Sequence, residues 1–146
     1  MDPAALSHAI DALADYARER DVELVAAAEA RGFILGGAVA QRIGAGFIPA
    51  RKPGKLPWET NSVEYVLEYG VDALEIHRDA VAGGARVLVH DDLIATGGTA
   101  AALCDLIEKT GGNVAGCAFV VELAFLGGRS ALGERDVHSL VVYEAE

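Results

Sequence analysis

The densest concentration of chemically useful side chains lies in Val87-Leu88-Val89-His90-Asp91-Asp92-Leu93-Ile94-Ala95-Thr96-Gly97-Gly98-Thr99. An apolar run, read as a buried parallel strand ending at His90, leads to two carboxylates, Asp91 and Asp92. They stand where open α/β sheets bind ligands, beyond the carboxyl ends of the strands. Ala95, Thr96, Gly97, Gly98 and Thr99 follow at the start of a helix. Their small side chains let backbone N–H groups converge on an anion, and the Thr96 and Thr99 hydroxyls can add donors. An anion cradle beside an acidic pair suits a sugar phosphate: the phosphate accepts from N–H groups while sugar hydroxyls donate to the carboxylates. Adjacent carboxylates would repel a bare polyphosphate, so the acids point to hydroxyls or a metal at that end. Taken singly, the acids read as a solvated turn and the Thr-Gly-Gly-Thr as an ordinary loop. Joined between an apolar strand and a helix, they read as a site.

The elements that must position this segment alternate helix and strand, which favours a parallel α/β sheet flanked by helices. Residues 2–20 carry Leu6, Ile10, Leu13, Ala14 and Ala17 at helical spacing, with Asp2 as N-cap and Pro3 in the first turn. Residues 24–28 predict a buried strand, 32–43 a small-residue helix, and Phe47-Ile48 the opening of another strand. Residues 51–61 are polar, basic at their start and interrupted by two prolines, the composition of a long functional surface loop. Residues 63–69 and 73–76 predict a hairpin about Gly70. Further strands are expected at 86–90, 115–123 and 140–143, and a helix at 99–109 ended by Gly111-Gly112. The Gly127-Gly128 break opens a short helical turn reaching Leu132.

At 146 residues and 52% apolar, the chain reads as a single domain, residues 1–146, with an Ala/Val/Leu/Ile core. No apolar run approaches the ~20 residues of a membrane span, and no signal peptide is legible at Met1-Asp2-Pro3. The simplest expectation is a cytoplasmic enzyme with no membrane partner. A net charge of −10 argues against nucleic acid as a partner, which needs a basic field. Cys104 and Cys117 fall among apolar neighbours and read as core residues. None of the four histidines shows metal-ligand spacing. The dinucleotide-binding pattern G-x-G-x-x-G does not follow the first strand, and the P-loop pattern G-x-x-x-x-G-K-[ST] is absent, which disfavours oxidoreductase and kinase readings.

The segment 87–99 closely resembles the 5-phosphoribosyl-1-pyrophosphate (PRPP) signature of type I phosphoribosyltransferases. Four further stretches resemble adenine phosphoribosyltransferases in order and spacing. They are Glu29-Ala30-Arg31-Gly32-Phe33, Arg51-Lys52-Pro53-Gly54-Lys55-Leu56-Pro57, Leu67-Glu68-Tyr69-Gly70 with Leu74-Glu75-Ile76, and Leu126-Gly127-Gly128-Arg129. The resemblance covers essentially the whole chain. It implies the type I phosphoribosyltransferase fold: a central, mostly parallel sheet flanked by helices, with a mobile lid loop and a β-hairpin. It also implies the purine-salvage reaction, in which adenine and PRPP give AMP and pyrophosphate, with Mg2+ held by the substrate pyrophosphate. Homodimers are usual in the family.

The same resemblance implies roles by position. Asp91 and Asp92 would hold ribose hydroxyls, and Ala95 to Thr99 the 5′-phosphate. Ala30, Arg31 and Gly32 match the pyrophosphate-binding turn, and Arg51, Lys52 and Lys55 belong to the lid, with Arg51 and Lys55 facing pyrophosphate. Glu68 matches the proton-transfer residue near the purine, with Tyr69 beside it, and Leu126 the apolar residue packed on the base. The chain departs from the family at its start. Met1-Asp2-Pro3 aligns with the helix after the family's N-terminal hood, the segment that stacks on adenine. The expectation is an enzyme by descent with weakened adenine activity. The alternatives are a regulatory PRPP- or nucleotide-binding protein, or a transferase for another purine base.

Overall fold

The computed structural model describes residues 2–66 and 70–145. Helix α1 (Pro3–Arg18) starts as its sequence dictates. The Asp2 carboxylate accepts from the Ala4 N–H at 2.8 Å and Pro3 fills the first helical turn. It ends two residues earlier than expected, in a turn where Asp21 adopts a positive φ of 51°. Five strands form a wholly parallel sheet: β1 (Leu24–Ala28), β2 (Gly46–Ala50), β5 (Arg86–Ile94), β6 (Asn113–Leu123) and β7 (Val137–Tyr143), in the order β2-β1-β5-β6-β7. Strands β3 (Thr60–Val66) and β4 (Val71–His77) make a separate antiparallel hairpin. Pro49 lies in the edge strand β2, where a missing N–H is tolerated.

Helices α1 and α2 (Gly32–Ile43) cover one face of the sheet, packing Leu13, Tyr16, Ala17, Val39 and Ala40 on Val25, Leu88 and Ala118. Helix α3 (Gly98–Lys109) and the hairpin cover the other, where Leu103, Cys104, Ile107, Leu74 and Ile76 meet Val87, Val89 and Phe119. Both faces of β5 are therefore buried, which explains its unbroken apolar run. Cys104 and Cys117 are buried core thiols with their sulfurs 3.5 Å apart. No described helix is long and apolar enough to cross a membrane.

One boundary differs in a way that matters for the site. The expected strand ended at His90, but β5 continues to Ile94 because the long strand β6 keeps pairing with it, through Asp91↔Phe119, Leu93↔Val121 and Ile94↔Glu122. Pairing with β1 stops at Ala27↔His90. Asp91 and Asp92 thus lie inside the ladder rather than past it, on a stretch flanked by one strand. His90 beneath them is buried, with its Nδ1 2.8 Å from the Ala118 carbonyl oxygen. Burial pushes its pKa down to about 4, so the ring is neutral at physiological pH.

Helix α2 lies close on the sheet because of Gly36. A Cβ there would stand 2.8 Å from the Ala27 Cβ and 3.2 Å from the Phe47 ring, whereas one on Gly37 would meet nothing within 4 Å. Gly36→Ala should cost about 1–3 kcal/mol through overpacking. Gly37→Ala should be neutral or stabilise by up to about 1 kcal/mol. Urea unfolding of the two variants is the check, and equal effects would refute the close contact.

Candidate active site

The topology places a switch point between β1 and β5. From β1 the chain winds outward to β2, and from β5 it winds the other way to β6 and β7. Ligands of open parallel sheets bind at such a crevice. The structure brings the loop after β1, the carboxyl end of β5 and the start of α3 to this one edge.

The segment expected to cradle an anion lies at the start of α3 and lines a cavity. Asp91, Leu93, Ile94, Ala95, Thr96, Gly97, Gly98, Thr99 and Ala100 line one cavity of ≈ 120 Å³. Gly97 caps α3 in the left-handed conformation (φ 81°), and no side chain caps the helix. The first-turn N–H groups have no carbonyl partner within the helix and so remain free for an anion. The loop has this shape because two glycines let main chains touch. A Cβ on Gly97 would lie 2.3 Å from the Gly128 carbonyl oxygen, and one on Gly128 would lie 2.4 Å from that of Ala95.

The two carboxylates separate. Strand alternation turns Asp91 into the cradle, while Asp92 lines an apolar groove on the opposite side with Leu6, Arg31, Ile34 and Leu35. Asp91 Oδ1 accepts from the Asp92 N–H at 2.9 Å, and the missing side chain of Gly32 leaves it room, since a Cβ there would stand 2.9 Å away. Arg31 Nε donates to Asp92 Oδ2 at 2.5 Å. The Arg31 side chain is 75% exposed, so solvent screens the pair and it is weak. Ala30 joins Glu29 through a cis peptide, and Gly32 begins α2.

The lid residues converge on a carboxylate that sequence reasoning quoted but gave no role. Glu29, at the end of β1, accepts from the Lys52 N–H at 2.5 Å and from Lys55 Nζ at 3.0 Å, with Arg51 Nη2 3.5 Å away. Burial opposes its ionisation, but the Lys52 N–H and Lys55 ammonium outweigh it and hold the carboxyl below its ordinary value. Backbone bonds of 2.9 and 2.8 Å between Arg51 and Glu75 pin the base of the loop to the hairpin. The loop is shorter than expected, because Thr60 and Asn61 already belong to β3. Lys52 turns elsewhere: its ammonium pairs with Asp72 and lies 3.4 Å from the Tyr65 hydroxyl, which stands 3.5 Å from Thr99 Oγ1. Tyr65 and Asp72 escaped the sequence reading; the period-2 pattern of the hairpin was the available signal.

Leu126 ends a short 3-10 helix (Ala124–Leu126) and is 43% exposed, with Phe125 beside it at 38%. Glu68 and Tyr69 lie outside the described residues. Among the described residues, no group of three His, Cys, Asp or Glu side chains could hold a metal ion.

A switch-point cavity at a helix start, flanked by a carboxylate and a cationic loop, is the geometry of an α/β domain suited to phosphorylated ligands. The family model for the phosphoribosyl transferase domain matches residues 2–142. Adenine phosphoribosyltransferase of Rubrobacter xylanophilus is 57% identical over 143 residues, 97% of this chain and 77% of that protein. The crystal structure of adenine phosphoribosyltransferase from Thermoanaerobacter pseudethanolicus superposes with a TM-score of 0.94 at 51% identity, covering 97% of this chain and 83% of that one. The Saccharomyces cerevisiae enzyme, complexed with D-2,5-dideoxy-2,5-imino-altritol 1,6-bisphosphate and adenine, gives 0.90 at 40% identity, covering 95% and 81%. The chain belongs to the phosphoribosyltransferase family, on its adenine phosphoribosyltransferase branch.

Asp91 sets a pH dependence. Burial, aided by the charge of Asp92 and opposed by the Asp92 N–H and Arg31, pushes its pKa from 3.8 up to about 7. A carboxyl with a raised folded-state value contributes stability that is full below about pH 4 and is lost as pH rises towards 7. Asp91→Asn should therefore match the wild type near pH 4. At about pH 8 it should exceed it by on the order of 2–4 kcal/mol. Urea unfolding at both pH values checks this, and a gap independent of pH would refute it.

Proposed function

We propose that the chain, acting as one domain, transfers the phosphoribosyl group of PRPP to adenine, giving AMP and pyrophosphate. The cradle of Ala95 to Thr99 carries this reading, because free helix-start N–H groups and two threonine hydroxyls suit a terminal phosphate monoester. Asp91 and Asp92 accept hydrogen bonds from the ribose hydroxyls, which fixes the sugar with its anomeric carbon facing the turn Ala30-Arg31-Gly32. Arg31 exchanges its exposed pairing with Asp92 for the pyrophosphate.

The reaction breaks the anomeric C–O bond and forms the bond to adenine nitrogen. Positive charge builds on the ribose ring, and negative charge on the departing pyrophosphate. Arg51 and Lys55 neutralise that negative charge when they leave Glu29, and Lys52 follows with the lid. Closure excludes the water that would otherwise capture the sugar cation. Leu126 packs on the base. Glu68 takes the proton that adenine releases, with Tyr69 beside it; both roles come from the resemblance.

Mg2+ bound to the pyrophosphate supplies further neutralisation of the leaving group. Such an ion would draw its ligands mainly from phosphate oxygens and water, with no dedicated protein cage required. We further infer a cytoplasmic homodimer, as is usual in the family. Ile34, 70% exposed on α2, and Phe47, 37% exposed on the edge strand β2, offer apolar surface for a second copy.

AMP formation from adenine, PRPP and Mg2+ is the direct test, followed by ultraviolet absorbance or chromatography. No turnover with retained AMP binding would favour a regulatory nucleotide-binding role. Asp91→Asn combined with Asp92→Asn should abolish ribose-phosphate binding and leave the fold intact. Gly97→Ala, which would strike the Gly128 carbonyl at a positive φ, should weaken ribose 5-phosphate binding by roughly tenfold or more. Unchanged affinity in either variant would refute the cradle assignment.

A further inference from the structure

The turn that follows β6 is held by an ion pair that the reaction itself does not use. Glu122, four per cent exposed at the carboxyl end of β6, receives both forks of Arg129: Nε to Oε1 and Nη2 to Oε2, each at 2.7 Å. The remaining Arg129 Nη1 donates to the Val137 carbonyl at 2.9 Å, tying the turn to β7 as well. Arg129 belongs to the short helix α4 (Gly128–Ala131), one residue after the Gly128 whose carbonyl meets Gly97, and three after Leu126. A single bidentate pair thus anchors a segment that bears the apolar base contact at one end and the seat of the phosphate loop at the other.

We propose that Arg129 is a positioning residue: through its pairing with Glu122 it holds the turn of residues 124–131 at a fixed distance from the phosphate loop, so that base and 5′-phosphate are gripped in register. The proposal rests on the reading of Leu126 as the base contact and of residues 95–99 as the phosphate cradle. The physical reason for an ion pair here is rigidity. The turn itself contains Gly127 and Gly128 and, in its 3-10 segment, no buried side chain, so packing alone cannot fix it. A bidentate guanidinium–carboxylate contact sets both distance and plane. The acid is nearly buried and the arginine side chain is 51% exposed, so removing Arg129 leaves a buried carboxylate without its cation and with only the Ser139 hydroxyl beside it.

The test uses the whole chain with Arg129→Met, Arg129→Lys and Glu122→Gln. Binding of AMP and of ribose 5-phosphate is measured by calorimetry, alongside KM and kcat for adenine. Arg129→Met should weaken AMP by roughly 10- to 100-fold, as expected for about an ångström of misplacement. Ribose 5-phosphate, which touches only one end of the coupled segment, should weaken less, and KM for adenine should rise more than kcat falls. Arg129→Lys, which keeps the charge and loses the fork, should recover only part. Measured relative to the wild type, whose own affinity follows Asp91, AMP binding by Arg129→Met should improve as pH falls, because Glu122, left with the Ser139 hydroxyl and sharing its cavity with Glu144, becomes neutral.

Lowered thermal stability with unchanged AMP and ribose 5-phosphate affinities would overturn the proposal. If Arg129→Met does not fold, the near-isosteric Glu122→Gln decides by the same affinities. A wild-type chain that binds AMP but makes none from adenine and PRPP overturns the reaction reading alone, and the binding constants still decide the role of Arg129. A wild type that binds neither ligand overturns both.

Discussion

The site depends first on a stagger in the parallel sheet. Strand β5 is flanked by β1 only as far as His90, yet β6 carries it on to Ile94. Those last residues have one strand neighbour instead of two. That gap lets polar side chains stand at the edge of an otherwise apolar sheet without facing a second strand. Alternation then sends Asp91 to the α3 side and Asp92 to the α2 side. The loop after β1 can reach both, because Gly32 presents no side chain to Asp91. Had β1 continued alongside, the acids would have been sealed in the ladder and the loop displaced.

Electrostatics works locally against a strongly acidic background. With a net charge of −10, the chain concentrates Arg31, Arg51, Lys52 and Lys55 around one edge. Each of them is paired with a carboxylate: Asp92, Glu29 or Asp72. Each of these cations is at least a third exposed and none shares a two-bond fork with its acid, so each pair is weak. A fully buried pair would not exchange, since freeing either partner would leave a desolvated charge. Glu122 instead receives two bonds of 2.7 Å from one guanidinium, which suits a fastening rather than a substrate contact.

Much of this was legible in the sequence, for reasons that differ by element. Helix α1 and the central strands follow from periodicity and from Asp2 and Pro3, which act locally. The segment of the cavity was legible only because its small residues join an acidic pair between an apolar strand and a helix, where either alone would read as ordinary. The end of β5 was not, because the partner that extends it is set by the length of β6, a distant segment. Nor was the pairing of Glu29 with the lid, which joins residues more than twenty positions apart. Glu122 and Arg129 are seven apart across a Gly-Gly turn, and nothing local marks a charged residue in that apolar strand as a partner rather than a solvated edge.

The glycines show why the two halves of the site cannot vary independently. Gly97 and Gly128 let main-chain atoms meet where any side chain would intrude, so the phosphate loop rests on backbone rather than on a deformable side chain. Backbone contacts transmit displacement almost undiminished, because neither partner has rotamers with which to absorb it. A shift of the base-side turn must therefore move the phosphate loop or break the contact. Tyr65 makes the corresponding link on the other flank, standing between Lys52 and Thr99. The loop of residues 95–99 is thus held between the loop after β2 and the turn of residues 124–131, and its geometry is a compromise that both sides constrain. On the roles proposed for the two flanks, that mutual constraint would align a sugar between two separately bound groups before substrate arrives.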